Sequence, residues 1–337
     1  MARLALPTWG IVGDAGLRLL KHRENAVFAV ELDGKPRYVL RVHRRGYHTD
    51  TALRSELLWM TSLHDHGIPT PLVTPTREGD LLTLVAGADG AGPFQCDLLS
   101  WVSGTPLGTI ENKSFGREEF IERAYEQVGR LAAQVHRHSE HWRPAEPFER
   151  HRWDEEGFLG THPVWGHYGD LDSLTAGELG LLNRAAEVAR RRLAEFGKSS
   201  DRFGLIHGDL VPENVLMDGE TCTLIDFDDA GFGWYVADIA VAVFFQVGTA
   251  SFTPALHSML HGYRQVRELS ADDLRMLDVM LLLRGLAVLG WIRTRGETDT
   301  AEQIRPSVTE IALNLAAVVT GDAENGLASG PMSPDPE

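Results

Sequence analysis

Cysteine is nearly missing from this 337-residue chain, which has only Cys96 and Cys222, both in apolar, strand-like contexts. Two such thiols read as buried small hydrophobes, which excludes a disulfide framework or a Cys-based metal site and fits a reducing compartment. Positive charge is also scarce. The balance of 32 Lys and Arg against 48 Asp and Glu leaves a formal net charge of -16, which repels a phosphate backbone and argues against a nucleic-acid partner. The one basic cluster, Arg41, His43, Arg44 and Arg45, reads as a solvated strand end with no nucleic-acid module around it. No run approaches the roughly 18 apolar residues of a membrane span. Met1 to Gly10 lacks the basic start and apolar stretch of a secretory signal, so no membrane partner is expected and the cytoplasm is the expected compartment. Two phosphate-binding signatures are absent as well: there is no GxGxxG, and Gly197-Lys198-Ser199 lacks the upstream Gly of a Walker A loop.

The composition is that of a globular protein, with 43% hydrophobic residues. Trp9 to Leu20 carries apolar residues at helical spacing, and Asn25 to Glu31 alternates like a half-buried strand. Asp33-Gly34 marks a turn, Arg37 to Val42 the returning strand, and Thr51 to Leu63 an amphipathic helix with Leu53, Leu57, Leu58 and Met60 on its apolar side. Two further strands are expected over Leu81 to Ala86 and Gln95 to Val102, with the Gly-rich loop Gly87 to Gly92 between them. Beyond Gly104 the periods become helical: Phe120 to His136, Glu178 to Phe196, Val236 to Gln246, Asp272 to Arg293 and Ala301 to Val319. The expected class is α+β and two-lobed. Residues 1–102 are expected to form a small antiparallel-sheet lobe, with a hinge near 96–104, and 103–320 a larger helical lobe. The tail 321–337, rich in Gly, Pro, Ser and acids, has little to bury and reads as disordered.

Within the helical half lies a strand-like island, Leu205 to Phe227, that contains His207-Gly208-Asp209-Leu210-Val211-Pro212-Glu213-Asn214 and then Asp226-Phe227-Asp228. Phosphoryl transfer needs an acidic group to receive or orient the acceptor's hydroxyl proton, and oxygen ligands to hold Mg²⁺ against phosphates. Asp209, Asn214 and Asp226 are residues of those types, in the HxDxxxxN-plus-Asp spacing of a kinase catalytic loop.

On these residues the chain resembles the aminoglycoside phosphotransferase and choline kinase superfamily, in particular the bacterial group with type II homoserine kinase and the stress-response kinase. The resemblance extends to Glu24-Asn25-Ala26-Val27-Phe28, Tyr38-Val39-Leu40-Arg41-Val42, Leu99-Ser100-Trp101-Val102-Ser103-Gly104 and Leu131-Ala132-Ala133-Gln134-Val135-His136. It implies a protein-kinase-like fold, ATP as phosphate donor with GTP open, and Mg²⁺. It also implies Asp209 as catalytic base, Asn214 and Asp226 as metal ligands and Asp228 as an additional one. His207 and Asp238 are expected to brace the loop or cap a helix.

A kinase fold normally carries Lys on its third strand, and the matching residue here is Arg41. Arg keeps the charge but not the point geometry of an ammonium. Arg41 is expected to bind phosphate or to pair with Glu56. The remaining nucleotide contacts are expected from the Asn25 to Phe28 turn, through backbone N–H groups, and from the backbone around Cys96, Leu98 and Trp101, which would read the purine edge.

The acceptor is expected to be a small hydroxyl-bearing molecule, either an amino alcohol, an aminoglycoside or a homoserine-like compound. Asp154, Glu155, Glu156, Asp170 and Asp172 would attract its amino group. Two alternatives stay open: a Ser/Thr protein kinase of the stress-response type, and a non-catalytic nucleotide-binding module. Against the first, Gly208, Val211 and Asp228 replace the Arg, Lys and Gly of protein-kinase signatures, and no Ala-Pro-Glu follows.

Overall fold

The computed structural model describes residues 1–22, 25–87, 90, 92–110, 118–144 and 147–322, with the backbone alone at 118 and 119. Glu24 of the quoted motif, part of the Gly87 to Gly92 loop and the tail from residue 323 lie outside the described residues. The chain divides into two compact units interleaved in sequence. The first comprises Met1–Thr105, Trp142–Arg150 and Leu216–Asp228, and the second Pro106–His141, His151–Val215 and Asp229–Glu337.

The first unit opens with a short helix α1 (Ala2–Ala5) and is built on β1 (Gly16–His22), β2 (Ala26–Leu32), β3 (Lys35–Val42), β4 (Thr83–Ala86) and β5 (Pro93–Ser100). These form one antiparallel sheet in the order β1-β2-β3-β5-β4. Asp33 and Gly34 take φ 52° and 71° between the paired Leu32 and Lys35. Positive φ at both positions is what a two-residue turn needs to match the strand twist. Val30, Leu40, Val42, Val85, Cys96 and Leu98 make the core of this sheet with Ala2, Ala5 and Leu6.

Helix α2 (Asp50–Asp65) starts where the Thr49 hydroxyl accepts from Ala52 N at 3.0 Å. It buries Leu53, Leu57, Met60 and Leu63, a run of i, i+4, i+7, i+10 spacing, together with Trp59. Leu58, expected on that face, is 40% exposed, because one residue on from Leu57 turns the side chain by about 100°. The hairpin β9 (Val215–Asp218) and β10 (Thr221–Leu224), whose sheet has the two-residue β6 (Thr105–Pro106) as its third strand, joins this unit from Leu216 onward.

The helix expected over Trp9 to Leu20 does not form. A single 3₁₀ turn, Leu6–Trp9, ends at Gly10, and β1 follows. Gly10 and Gly13 hold φ 77° and 88°, a left-handed conformation that interrupts any right-handed helix.

The second unit is mainly helical: α3 (Glu118–His141), α4 (Glu155–Leu159), α5 (Ala176–Phe196), α6 (Tyr235–Val243), α7 (Phe252–Arg264), α8 (Ala271–Arg275), α9 (Leu277–Thr294) and α10 (Asp299–Thr320). A small sheet sets β11 (Gly231–Trp234) between β7 (Arg152–Trp153) and β8 (Phe203–Ile206). The helix expected over Asp272 to Arg293 is two helices that meet at Met276, the first opened by a Ser270/Asp273 capping box. Helix α7 was not foreseen. Its Leu256, Met259, Leu260 and Tyr263 are buried at helical spacing, but Pro254 and Gly262 obscure the pattern. Pro254 is tolerated because it lies in the first turn, where N–H groups have no helical partner.

The fold is thus α+β in the two-lobed protein-kinase-like class, a small antiparallel-sheet unit and a helical one. Among the described residues no helix is long and apolar enough to cross a membrane. Cys96 and Cys222 are buried and free, and burial pushes both thiols up to about 12, so they stay protonated at neutral pH.

Candidate active site

In the second unit the catalytic-loop motif follows β8. Asp238, in the first turn of α6, accepts from His207 N at 2.8 Å and Gly208 N at 2.9 Å, and lies 3.0 Å from His136 Nε2. Burial alone would raise the Asp238 carboxyl, but the hydrogen bonds from His136 and the loop backbone, with the charge of nearby histidine, hold it below its ordinary value. It therefore braces the loop and caps no helix: α6 begins at Tyr235, and its N-cap residue Trp234 makes no side-chain cap. His136, from the helix that carries His138 and His141, is fully buried, with Nδ1 2.8 Å from the Tyr263 hydroxyl. Gly208 sits at φ 77°, and a Cβ there would meet Asp229 O at 2.4 Å and Trp153 Nε1 at 2.7 Å. That explains why no Arg stands at this position.

Asp209 is partly exposed, at 22% of its side chain. The Asn214 amide nitrogen donates to Asp209 O at 2.9 Å and to Oδ2 at 3.0 Å, which turns the Asn214 carbonyl oxygen, the end a hard cation takes, away from Asp209. Asp209 Oδ1 accepts from Arg284 NH2 at 2.6 Å. Arg284 is buried on α9 and lies over the Trp165 ring at 4.6 Å. The Trp165 indole in turn donates to Asp229 Oδ1 at 2.9 Å.

Neither Arg284 nor Trp165 was singled out from sequence. A signal existed for the first: Arg284 is the lone charge in the apolar run Val279 to Gly290, and a buried charge requires a partner.

In the first unit Arg41 is buried and fully engaged. Its Nε and NH2 donate to Asp97 Oδ1 and Oδ2, each at 2.8 Å, and NH1 donates to Glu56 Oε1 at 2.7 Å. Asp97 stands opposite Arg41 in the β3–β5 register and also meets His43 Nε2 at 2.6 Å. Burial works against the Arg41 charge, yet Asp97 and Glu56 raise its pKa well above the ordinary value. Arg150 adds a second cation 3.5 Å from Glu56 Oε2 and donates to Ala52 O, Phe227 O and Asp228 O. It thereby ties α2 to the Asp226-Phe227-Asp228 strip.

Asp226 holds φ 64°, a conformation that raises the energy of a non-glycine residue by about 1–3 kcal/mol and points to a functional constraint. Asp228 is buried with His48 Nε2 3.5 Å from its Oδ1, and its carboxyl is lowered: burial opposes ionisation, but His48, His43 and Arg41 prevail.

Three expectations change. Val27 and Phe28 lie inside β2 with partners on both β1 and β3, so their N–H groups belong to the sheet and do not face a phosphate. Asn25 is buried, with its side-chain oxygen 3.4 Å from Arg44 N. Cys96 and Leu98 are buried in β5, paired with Val42 and Leu40. On the other edge of β5, Leu98 O accepts from Thr74 N and Ser100 N donates to Leu72 O, while Trp101 N donates to Arg37 O. Most of the backbone proposed to read a purine is therefore committed within the unit.

The acids expected to attract an amino group are also engaged or dispersed. Asp154 caps α4 and meets Arg152 at 3.0 Å and Lys198 at 3.2 Å, Glu155 pairs with Lys198, and Glu156, Asp170 and Asp172 are exposed.

Among the described residues no cluster of three or more His, Cys, Asp or Glu side chains could hold a metal. A cation held largely by substrate phosphates needs only one or two protein oxygens, and Asn214 and Asp226 are oxygen donors of the right kind.

The chain is similar to amicoumacin kinase of Bacillus subtilis (strain 168), 25% identical over 320 residues that cover 92% of this chain and 87% of that protein. It is also similar to homoserine kinase of Sinorhizobium medicae (strain WSM419), 29% identical over 257 residues, 74% of this chain and 70% of that one. The solved structure of a microcompartment-associated aminopropanol kinase is 34% identical with a TM-score of 0.82, covering 94% of this chain and 96% of that one. Residues 16–273 match the phosphotransferase enzyme family, and the chain belongs to that family as an ATP-dependent kinase acting on hydroxyl groups.

Proposed function

We propose that the protein phosphorylates the hydroxyl of a small amino alcohol, with Asp209 as the base and with Asn214 and Asp226 as the protein's ligands to Mg²⁺. The observation that carries the reading is the Asp209–Asn214 pair on a loop braced by Asp238. It offers a partly exposed carboxylate, held in place, to a hydroxyl proton. In the reaction the acceptor oxygen bonds to the γ-phosphorus as its proton passes to Asp209, and the bond to the β–γ bridging oxygen breaks with release of ADP. The divalent ion, when bound, offsets charge on the phosphate oxygens. Asp228, whose Oδ1 lies 3.5 Å from His48 Nε2, stays an additional ligand in this reading. Arg41, saturated by Asp97 and Glu56, serves to orient α2 and the sheet.

An amine beside the acceptor hydroxyl is favoured by the similarity to an aminopropanol kinase over nearly the whole chain. The test is ADP release across 1-amino-2-propanol, ethanolamine, homoserine, kanamycin, 1,2-propanediol and casein. The highest kcat/KM is expected with an amino alcohol. Equal efficiency on 1,2-propanediol sinks the amine requirement, and turnover on casein alone favours a protein kinase. For the metal, Asp226→Ala is expected to weaken Mg²⁺-dependent nucleotide binding on the order of tenfold or more, because a carboxylate ligand to a hard cation is lost. An unchanged Mg²⁺ midpoint in nucleotide titrations removes Asp226 from that role.

A further inference from the structure

Arg284 is hard to explain by stability. All of Val279 to Gly290 on α9 is buried, and Arg284 is its single charge. A buried ion pair seldom improves on well-packed apolar residues of similar size. This guanidinium is not even fully satisfied, since its Nε is buried with no hydrogen-bond partner among the described residues. What the side chain does have is a fixed place. It stacks over Trp165, whose indole holds Asp229 Oδ1. The Asp229 carbonyl accepts from Trp153 and His151 at 2.8 and 2.9 Å and abuts Gly208, the residue before Asp209. The path from Arg284 through Trp165 and Asp229 therefore returns to the loop that carries Asp209.

We propose that Arg284 is the positioning residue of the catalytic carboxylate, an inference that rests on the kinase reading above. The terminal torsion of Asp is broad and roughly two-fold, so the backbone alone does not fix the plane of the carboxylate. Arg284 holds Oδ1 at 2.6 Å and Asn214 holds Oδ2 at 3.0 Å. An ionised carboxylate has about four lone-pair sites, and these two bonds leave capacity for the acceptor's O–H. The planar guanidinium, pre-organised against an aromatic face, fixes direction better than a flexible ammonium. Arg284 touches neither phosphate nor acceptor in this role; it acts through Asp209.

The test compares Arg284→Met and Arg284→Lys with the parent enzyme, using the best acceptor of the panel and, in parallel, water as acceptor in slow ATP hydrolysis. Misplacement of a reacting group lowers rate about 10²-fold, and that loss is expected in kcat for Arg284→Met. Acceptor KM and the MgATP Kd are expected to stay within about threefold, since binding to the ground state is not what is removed. Thermal stability is expected to change little, because the carboxylate left behind is partly exposed and stays solvated, and Arg284→Lys is expected to recover part of kcat. In an Asp209→Asn background, Arg284→Met is expected to have little further effect, because residues acting as a unit are not additive. A crystal structure of Arg284→Met should show the Asp209 carboxylate turned about its terminal torsion.

A kcat close to the parent's, the same loss in the Asp209→Asn background, or an unmoved carboxylate overturns the proposal. So does a loss of kcat that tracks a loss of stability and is not relieved by Lys. If Arg284→Met does not fold, Arg284→Gln carries the same expectations. If the parent enzyme turns over neither an acceptor nor ATP, the kinase reading fails, while the crystal structure still decides whether Arg284 positions Asp209.

Discussion

Asp209→Asn is expected to lower kcat by about 10²–10⁴-fold, the usual contribution of a positioned general base, while the fold and nucleotide affinity stay close to the parent's. The amide has the shape of the carboxylate and can still accept from Arg284 through its oxygen, at the loss of the Asn214 bond to Oδ2, while Asn214 keeps its bond to the backbone carbonyl of residue 209. The loop itself is held elsewhere, by Asp238 on the backbone of His207 and Gly208. An amide cannot take the hydroxyl proton, so the loss falls on the chemical step. Single-turnover phosphate transfer separates that step from binding, and calorimetric titration with MgATP checks the affinity. A variant within a few-fold of the parent rate removes Asp209 from the base role. A variant that loses nucleotide affinity and rate together points to a metal-holding role for this carboxylate.

The second large effect is on stability. Arg41→Met leaves Glu56 and Asp97, both fully buried, without the guanidinium that bridges them. Breaking a buried pair by removing one partner destabilises by about 3–5 kcal/mol, a fall in melting temperature on the order of 10 °C. Arg41→Lys is expected to restore part of this, because one ammonium cannot reproduce a fork that engages two carboxylates at once. Nucleotide KM should rise or kcat fall in Arg41→Met, since α2 and β5 lose their common tether.

The sign of the pH dependence follows from Asp97. Burial pushes its carboxyl up, but Arg41 and His43 bring it below the ordinary value. A depressed carboxyl contributes stability above its unfolded pKa and loses that contribution as pH falls through the folded value. The gap between parent and Arg41→Met should therefore be widest near neutrality and narrow in acid below about pH 4. Thermal unfolding over a pH series measures both. A loss under about 1 kcal/mol, within the range of an exposed pair, or a gap that widens in acid, shows that the network does not hold the sheet to α2.

The His207 to Asn214 motif and Asp226 stood out in the sequence as candidates because they lie close along the chain, and phosphate chemistry restricts which residue types serve. Most of the strands and helices were legible too, because their apolar periods were regular. The segment after Trp9 misled because its apolar spacing hid two glycines held at positive φ. The purine-reading backbone at Cys96 to Trp101 misled for another reason: the 72–74 segment and Arg37 take its hydrogen bonds, and their approach leaves no trace in local sequence.

By itself the sequence determined an antiparallel sheet followed by helices and a kinase-type loop motif, and it offered Asp209, Asn214 and Asp226 as the candidates for a base and its oxygen-donor companions. Those properties follow from hydrophobic period and from residues a few positions apart. Only the tertiary structure decided that Arg41 is clamped by Asp97, 56 residues away, and that Asp209 is held by Arg284, 75 residues away. In each case a charge is buried where water cannot solvate it, and strand register or helix packing determines which opposite charge lies within reach. An apolar stretch broken by a single charged residue signals that such a partner exists, but the fold has to supply its identity.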